Sequence, residues 1–460
     1  MTPKILKAAV CALSLLSASA CSSDDPATGA DDGVDPACPV VVRDADCDTS
    51  RRPIVFVHGT YGSGDNIAHV ANLFGSNGYC QDRFVAIEYN SLPTIPASEK
   101  PAQDGRLDAF IDRVRETFAA DQVELMGHSQ GTTHAVDYLG VPAQAAKVAN
   151  YVHLAGGPLV APPVPTLCLA STADAIATGL CPPNAARSVV FEQHDHFAVA
   201  SSTESFVAIY NYLYGEDPKY TTLQCGEDPV TVEGIAESFG DNVPATGRLE
   251  IRELGDSARS AGAEVAVDPP DATGHFGPLQ LKRNVAYEFK GFDQQGNLIG
   301  YLYYTPFKRS NRLLRLLSPS ANPLVAAVST DVVARGPGHS ALVVRWDGGA
   351  FRQDLGASLT VDGLEVLTSE NAGSTALAGS LRGGVVGFFM SDQSGNRRTD
   401  LGLPASGPFI AFTDVFMDAS EPQFIELGFT AGSEDRSILG TPLRVPNWPS
   451  SEVLMLAMFQ

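Results

Sequence analysis

The stretch that most constrains the fold runs from Val123 to Leu139. The run Val123-Glu124-Leu125-Met126 leans apolar and leads into the turn Gly127-His128-Ser129-Gln130-Gly131, and the residues after this turn have helical periodicity. A Gly-x-Ser-x-Gly motif needs this strand, turn and helix context before it can hold a serine on a sharp bend. The flanking glycines let the strand and the helix pass closely. The pattern therefore predicts that Ser129 stands above a sheet edge as a nucleophile.

A serine nucleophile needs a base that takes its proton and an acid that orients the base. Asp174 follows one strand-like run and His196 follows the next, which gives the order serine, acid, histidine found with this kind of turn. We predict that His196 is the base and Asp174 the acid. His194 is the competing base and Asp195 the competing acid, although a residue adjacent to the base along the chain is badly placed to bond its ring.

The third requirement is a pair of donors for the negative charge on the reacting oxygen. We predict that the backbone N–H groups of Thr60 and Gln130 form this oxyanion hole, because the glycine-rich loop from Gly59 to Gly64 lets the backbone approach a carbonyl. His58 is expected to brace this loop, and the side chain of His128 is expected to point away into the end of the sheet. Structural roles are expected for the remaining histidines, namely His69, His134, His153, His275 and His339.

Strand-like and helical runs alternate between residues 47 and 225, which predicts a doubly wound, mostly parallel sheet. From residue 226 onward, strand-like runs are separated by Gly, Asn and Asp turns and helical periodicity is scarce. This second part predicts an all-β region built as a sandwich or barrel. The proline-rich stretch from Ser318 to Pro323 reads as a junction, so we divide the region into β modules of residues 226–317 and 318–460.

The overall charge argues against two classes of partner. The chain of 460 residues has a formal net charge of -22 at pH 7, whereas nucleic acids and anionic membranes are bound electrostatically by basic patches. No nucleic-acid partner is expected. The residues imply no cofactor, and no cysteine pair has the spacing of zinc ligands, so no metal is expected either.

The N-terminus reads as a targeting segment. Lys4 and Lys7 precede an apolar run that is too short to span a membrane permanently, and small residues follow it up to Cys21. We predict a signal peptide over residues 1–20 and, by resemblance to a bacterial lipobox, lipidation of Cys21 with a tether over residues 21–46. Ala18 stands where a lipobox usually has leucine. The expected location is the outer membrane or cell surface of a bacterium, with the lipid on Cys21 as membrane anchor; free secretion is the alternative.

Export permits disulfides, and six cysteines remain after Cys11 and Cys21 are set aside. Six cysteines allow 15 pairings, so the connectivity does not follow from the sequence. We expect the pairs Cys47 with Cys80, Cys168 with Cys181, and Cys38 with Cys225.

The stretch Pro53 to Tyr61, the turn at Gly127 to Gly131, the segment Leu169 to Ile176 and the histidine loop together resemble the secreted microbial α/β-hydrolase lipases. The pairing of Cys47 with Cys80 is similar to a disulfide pattern in that group. Less diagnostic segments of the second half are similar to an archaeal long-chain lipase with an appended C-terminal β-barrel domain; they are Val230–Gly234, Gly274–Pro278, Tyr287–Phe289 and Tyr303–Asn311.

The resemblance implies a serine lipase or carboxylesterase that acts on long-chain lipid esters such as triacylglycerols. A short-chain esterase or a polyester depolymerase would use the same residues. A non-catalytic surface-binding protein built on a hydrolase shell is the alternative of another class. The prolines between Gly156 and Pro165 exclude a helical lid there. A cover for the acyl site must therefore come from the loop at residues 92–101, the loop at residues 174–187, or the second half of the chain.

Overall fold

The computed structural model describes residues 38–92, 100–157, 160, 162–177, 179–320, 333–369, 371, 385–401, 410–431 and 442–460. The predicted signal peptide, Cys21 and the tether up to residue 37 lie outside the described residues. Residues 40–460 form one compact unit, the second of two along the chain, and every element below belongs to it. No helix in the described part of the chain is both long enough and apolar enough to cross a membrane.

The first half of the second unit has the predicted α/β-hydrolase fold. Its sheet has six parallel strands in the order β2-β1-β3-β4-β5-β6. The elements in chain order are β1 (Ile54–Val57), α1 (Ala68–Ser76), β2 (Phe84–Ile87), α2 (Lys100–Thr117), β3 (Val123–His128), α3 (Gln130–Leu139), α4 (Pro142–Ala145), β4 (Val148–Leu154), β5 (Thr166–Ser171), β6 (Arg187–Phe191), α5 (Ala198–Ser201) and α6 (Thr203–Tyr214).

The central strands of this sheet are apolar because helices cover both of its faces. Every residue of β1, β3 and β5 is buried, as expected for parallel strands between two helical layers. One hydrophobic cluster joins β1 to α1 and α6, and a second joins β1 and β3 to α2 and α3. The carboxyl ends of the strands meet at one edge, where sites in open α/β sheets form.

The second half is all β among the described residues, apart from one 3₁₀ turn at Gln353–Leu355. Its strands are β7 (Val230–Ser238), β8 (Arg248–Leu254), β9 (Ala261–Asp268), β10 (His275–Leu281), β11 (Tyr287–Phe292), β12 (Leu298–Tyr304), β13 (Asn311–Ser318), β14 (Leu342–Trp346), β15 (Ser358–Val361), β16 (Leu364–Glu365), β17 (Gly387–Ser391), β18 (Ile410–Asp414), β19 (Phe424–Thr430), β20 (Leu443–Pro446) and β21 (Met455–Phe459).

These strands form three sheets, and the largest packs against the other two. Its eight strands run in the order β18-β17-β14-β21-β12-β11-β8-β9; the smaller sheets are β10-β7-β13 and β16-β15-β19-β20. On β12, Leu302 and Tyr304 belong to the core shared with β7, whereas Tyr301 and Tyr303 belong to the core shared with β15 and β19. Alternate side chains of one strand therefore fill two different cores, as the two-residue period of a strand requires.

The predicted division of this half at residue 318 does not coincide with a break between sheets. Strand β21, at the end of the chain, pairs in parallel with β12 on one side and with β14 on the other. The eight-stranded sheet therefore contains strands from both predicted modules. Strand β13 ends at Ser318, but the sequence pattern around this residue carries no information about which distant strand pairs with β12.

Candidate active site

The sharp turn after β3 places Ser129 in a strained backbone conformation. Its φ is 54° and its ψ is -121°, and α3 begins with the next residue. The turn needs glycine at position 131 because a Cβ atom there would lie 2.1 Å from the carbonyl oxygen of Val57. A strained non-glycine residue persists only where its surroundings hold it, and such residues cluster at functional sites. The geometry is that of the predicted nucleophile elbow.

His196 and Asp174 are in direct contact, as predicted. The Nδ1 atom of His196 lies 2.8 Å from Oδ2 of Asp174, and the carboxyl group is fully buried. Since a carboxylate can only accept, Nδ1 carries the proton and Nε2 is left free to take one. Burial by itself would raise the pKa of Asp174. The hydrogen bond and charge of His196, with the N–H groups of Ile176 and Ala177, outweigh burial and lower that pKa.

The contacts of the competing residues support His196 and Asp174. Nε2 of His194 lies 2.8 Å from Oγ of Ser202, and its ring stacks on Phe191. The Oδ1 atom of Asp195 accepts hydrogen bonds from the next turn of backbone, and Oδ2 lies 3.5 Å from Arg352. His194 and Asp195 are therefore held in other interactions.

His128 differs from its prediction. Its side chain does not simply point into the end of the sheet, because Nε2 donates a 2.9 Å hydrogen bond to the carbonyl oxygen of His196 and the two rings lie 4.7 Å apart. Burial, helped by repulsion from His196, lowers the pKa of His128 to about 3. His128 is thus a neutral support for the histidine loop. Sequence reasoning missed this contact because nothing local indicates that the two loops meet.

Ser129 and His196 are not joined by a hydrogen bond. Their segments are connected by a neighbouring residue. Within the described residues, Oγ of Ser129 makes no hydrogen bond, including to Nε2 of His196. Hydrogen bonds between a nucleophile and its base are often looser in the absence of substrate. The link between the two residues runs through His128, which precedes the serine and bonds the backbone of the base.

The loop after β1 lies directly against the nucleophile. A Cβ atom on Gly59 would be 2.7 Å from Cβ of Ser129 and 3.3 Å from its Oγ. Oγ1 of Thr60 donates a 2.9 Å hydrogen bond to Oε1 of Gln130. No described residue accepts a hydrogen bond from the backbone N–H of Thr60 or of Gln130. Two free donors therefore flank Ser129, as the predicted oxyanion hole requires.

His58 braces this loop, as predicted, and its partner was missed. The ring is fully buried, with Nδ1 donating to the carbonyl of Gly59 at 3.0 Å and Nε2 lying 3.2 Å from Oε2 of Glu88. It also stacks on Tyr89 with ring centroids 4.3 Å apart. Glu88 follows β2, and nothing in its local sequence marks it as part of the site.

An apolar cavity opens beside the oxyanion loop. Its volume is about 360 Å³, within the range of about 300–1,000 Å³ typical of small-molecule sites. Thr60, Tyr61, Asn66 and Phe197 line it from the hydrolase half. Most of its wall belongs to the β half, including Phe239 and the buried side chains of Leu249, Phe289 and Leu302. Of the three covers that the sequence leaves open, the second half of the chain supplies most of the cavity wall among the described residues.

The described residues agree with two further predictions. No helix occurs in the described residues between β4 and β5, where prolines exclude a helical lid. Disulfides join Cys47 to Cys80 and Cys168 to Cys181, as predicted. Cys38 and Cys225 are each disulfide-bonded as well, and their pairing with each other stays a prediction.

No group of three or more His, Cys, Asp or Glu side chains in the described part of the chain is arranged to hold a metal ion.

Two segments of the chain match known families. Residues 51–139 match the class 2 lipases, and residues 228–321 match the lipase C-terminal domain. The first half of the chain has the α/β-hydrolase fold, and the two matched segments resemble these lipases. The matches confirm the predicted likeness to an α/β-hydrolase lipase with a C-terminal domain, and they support hydrolysis of ester bonds. The narrower likeness to an archaeal long-chain lipase stays a prediction.

Solved structures that match parts of the chain include two lipases and a carboxylesterase. Aspergillus fumigatus lipase B is 13% identical with a TM-score of 0.28, over 38% of this chain and 56% of that one, so the chain spans little more than half of its length. Bacillus licheniformis lipase BlEst2 in its propeptide form is 12% identical with a TM-score of 0.30, over 87% of this chain and 93% of that one. The Bacillus cereus carboxylesterase is 16% identical with a TM-score of 0.24, over 32% and 82%.

Proposed function

We propose that this protein is an exported serine lipase or carboxylesterase that hydrolyses long-chain acyl esters through an acyl-enzyme. The observation that carries the proposal is the hydrogen bond from Nδ1 of His196 to Asp174, formed at the sheet edge that also holds the strained Ser129. A buried carboxylate that fixes the imidazole tautomer leaves Nε2 as a base facing the nucleophile side of the site.

In the proposed reaction, Ser129 attacks the ester carbonyl while Nε2 of His196 takes its proton. The carbonyl oxygen gains negative charge and accepts hydrogen bonds from the backbone N–H groups of Thr60 and Gln130. His196 then hands its proton to the leaving alcohol, and the acyl group remains on Ser129. Water, deprotonated by His196, attacks the acyl-enzyme and restores the serine.

The apolar cavity supports a long acyl chain as the preferred substrate. Thr60 lines the cavity and is also a proposed oxyanion donor, so a chain attached to the reacting carbonyl has a continuous apolar surface to follow. Burial of each additional CH₂ group contributes about 0.8 kcal/mol. Binding should therefore strengthen with chain length until the cavity is full, and the β half is the part of the protein that provides this energy.

The test is hydrolysis of p-nitrophenyl esters of graded chain length by wild type and Ser129→Ala, with fluorophosphonate labelling of the same preparations. We expect wild-type kcat/KM to peak at long chains, labelling of Ser129, and loss of both activities in the variant. A peak at two to four carbons would favour the short-chain esterase. Folded wild-type protein that neither labels nor turns over any ester would favour the binding protein on a hydrolase shell.

We also propose export with a lipid on Cys21. The two disulfides of the hydrolase half support an oxidising compartment. Expression of the full chain in a Gram-negative host should give protein that fractionates with membranes, and Cys21→Ser should release it into the soluble fraction. Equal fractionation of the two proteins would exclude the anchor and leave free secretion.

A further inference from the structure

A segment of the β half lies against the oxyanion loop. This strap, residues Phe239–Val243, follows β7. The N–H and Oγ of Ser91 donate to the carbonyl oxygen of Gly240 at 3.3 and 3.1 Å, and the rings of Tyr61 and Phe239 stack with centroids 6.4 Å apart. A Cβ atom on Gly240 would lie only 3.0 Å from the ring of Tyr61. The strap therefore packs directly on the residue that follows Thr60.

Asn242 is the polar centre of the strap. It is 7% exposed, and Nδ2 donates to the carbonyl oxygen of Gly62 at 2.9 Å. The same atom lies 3.2 Å from Oε2 of Glu88 and 3.3 Å from Nε2 of His58. These three partners all belong to the hydrolase half, and two of them, His58 and Gly62, each lie two residues from Thr60 along the chain.

Arg315, on β13, joins the same hydrogen-bond network through Glu88. Its Nε donates a 2.9 Å hydrogen bond to Oε1 of Glu88, and both side chains are nearly or fully buried. The same carboxylate oxygen accepts the N–H of Gly64 at 2.9 Å. Glu88 thus holds both ends of the oxyanion loop, His58 at one end and Gly64 at the other, and Arg315 holds Glu88. Burial would raise the pKa of Glu88, but the charge of Arg315 and the hydrogen bond of His58 lower it.

The loop needs such support because one of its residues is strained. Tyr61 has a φ of 55°, a conformation that bulky residues rarely adopt. Strained backbone persists only where surrounding contacts determine it. The peptide bond before Tyr61 joins it to Thr60. A change in the φ of Tyr61 would rotate Thr60 relative to the rest of the loop, and the backbone N–H of Thr60 would move away from the reacting oxygen.

We infer that Asn242 and Arg315 of the β half are positioning residues for the oxyanion hole, acting on the N–H of Thr60 through Gly62, His58 and Glu88. The inference rests on the proposed function and extends it. The β half then serves the chemical step itself and not only the binding of long chains. Esters too short to reach the cavity should depend on it as well.

The test compares Asn242→Gly with Asn447→Ala in the full-length protein, on p-nitrophenyl butyrate. Glycine suits the φ of 51° at position 242, so Asn242→Gly removes the amide without new backbone strain. Asn447 is a matched control, since its buried Nδ2 donates to two carbonyl oxygens of the β half, those of Asp418 and Glu421. Asn242→Asp is a second variant that keeps the shape of the side chain and replaces the amide donor by a carboxyl oxygen facing Oε2 of Glu88.

We expect Asn242→Gly to lower kcat about tenfold or more with KM changed less than about twofold, because the donor acts on transition-state charge. The rate of fluorophosphonate labelling should fall in parallel, while the final extent of labelling, which counts folded sites, should stay at one per chain. Asn447→Ala should leave both rates within about twofold of wild type.

The outcomes separate this inference from the proposed function. Equal rates for Asn242→Gly and wild type would overturn the inference, and so would an equal loss in Asn447→Ala, since that would indicate general destabilisation. If Asn242→Gly does not fold, the same comparison applies to Asn242→Asp. Retention of activity by Ser129→Ala would instead overturn the proposed function, whatever the Asn242 variants do.

Discussion

Oγ1 of Thr60 donates a 2.9 Å hydrogen bond to Oε1 of Gln130, which joins the loop after β1 to the first turn of α3. These two residues carry the two proposed oxyanion donors. Their side-chain hydrogen bond fixes the separation of the two N–H groups before substrate arrives. An oxyanion hole is effective because its donors need no reorganisation when charge develops.

Replacement of Thr60 by valine should therefore slow the chemical step. Thr60→Val keeps the shape of the side chain but removes the donor to Gln130. We expect kcat for p-nitrophenyl butyrate to fall by about tenfold, less than the 10²–10³ lost when an oxyanion donor itself is removed. Thr60→Ser retains the hydroxyl and should keep most of the activity. Steady-state kinetics would contradict the prediction if valine and serine had equal effects.

The cavity should shorten when Gly300 is replaced by leucine. Gly291 and Gly300 face each other across β11 and β12, next to the pair formed by Phe289 and Leu302, so all four share the sheet face that lines the cavity. A Cβ atom on Gly300 meets no neighbour closer than 4.0 Å. Glycine inside a strand often marks a place where a ligand approaches the backbone.

We expect Gly300→Leu to move the preferred ester to shorter chains and to lower kcat/KM for long-chain esters by about tenfold or more. Turnover of p-nitrophenyl butyrate should change little. Gly105→Leu, on the exposed side of α2 where nothing lies within 4 Å, is the control for an added leucine side chain. An unchanged chain-length profile in Gly300→Leu would show that acyl chains bind elsewhere.

The choice between Asp174 and Asp195 as the acid can be tested by two amide variants. Asp174→Asn should lower kcat by about 10³–10⁴, because an amide can hold the imidazole in the wrong tautomer. Asp195→Asn should keep kcat within about tenfold of wild type and mainly lower stability, since Asp195 caps the backbone that follows it. Kinetics at pH 5–9 decide between them; the reverse ranking would assign the role to Asp195.

The carboxyl group of Asp174 also predicts how stability depends on pH. The pKa of Asp174 is lowered by folding, so its contribution to stability is complete above the unfolded pKa of about 3.9 and is lost as pH falls through the lower folded value. We expect wild type to be more stable than Asp174→Asn by a constant amount above about pH 5, and this difference in stability to shrink only as pH falls below about 4. A difference in urea midpoints that changes between pH 5 and 8 would contradict this assignment.

The parts of the site that the sequence predicts are those with local signals. The motif around Ser129 determines its own turn, because Gly131 is required by the approach of Val57. Asp174 and His196 follow strands whose apolar runs are visible in the sequence. Their order along the chain then identifies them, since parallel strands bring their carboxyl ends to one edge.

The parts that the sequence did not predict depend on contacts between distant segments. Arg315 and Glu88 are 227 residues apart, and an arginine on a strand ordinarily faces solvent. Asn242 stands in an irregular segment whose packing partner lies in the other half of the chain. The position of β21 between β12 and β14 also depends on contacts between distant segments. The apolar sequence of a strand does not specify which strands it pairs with.

Glu237, at the junction of the two halves, provides a last prediction. Its side chain is buried, and its carboxyl oxygens have no hydrogen-bond partner among the described residues. Oε1 lies 3.5 Å from Nε of Arg315, and this Nε donates its hydrogen bond to Oε1 of Glu88. Burial, with repulsion from Glu88, raises the pKa of Glu237 well above its ordinary value. Glu237 is therefore protonated in the folded protein at pH values where it is ionised in the unfolded chain.

Folding then takes up a proton, so stability should fall as pH rises from about 4.3 towards the folded pKa, by at most about 1.4 kcal/mol per pH unit from this group. Glu237→Gln removes that dependence while it keeps the shape of the side chain. Urea unfolding between pH 5 and 8 should give a flatter stability profile for Glu237→Gln than for wild type, with the variant the more stable at pH 8. Glu264→Gln, half exposed and paired with Arg252, is the control. If the stability profiles of wild type and Glu237→Gln run parallel with pH, Glu237 is ionised in the folded protein and Arg315 pairs with the carboxylates of both Glu237 and Glu88.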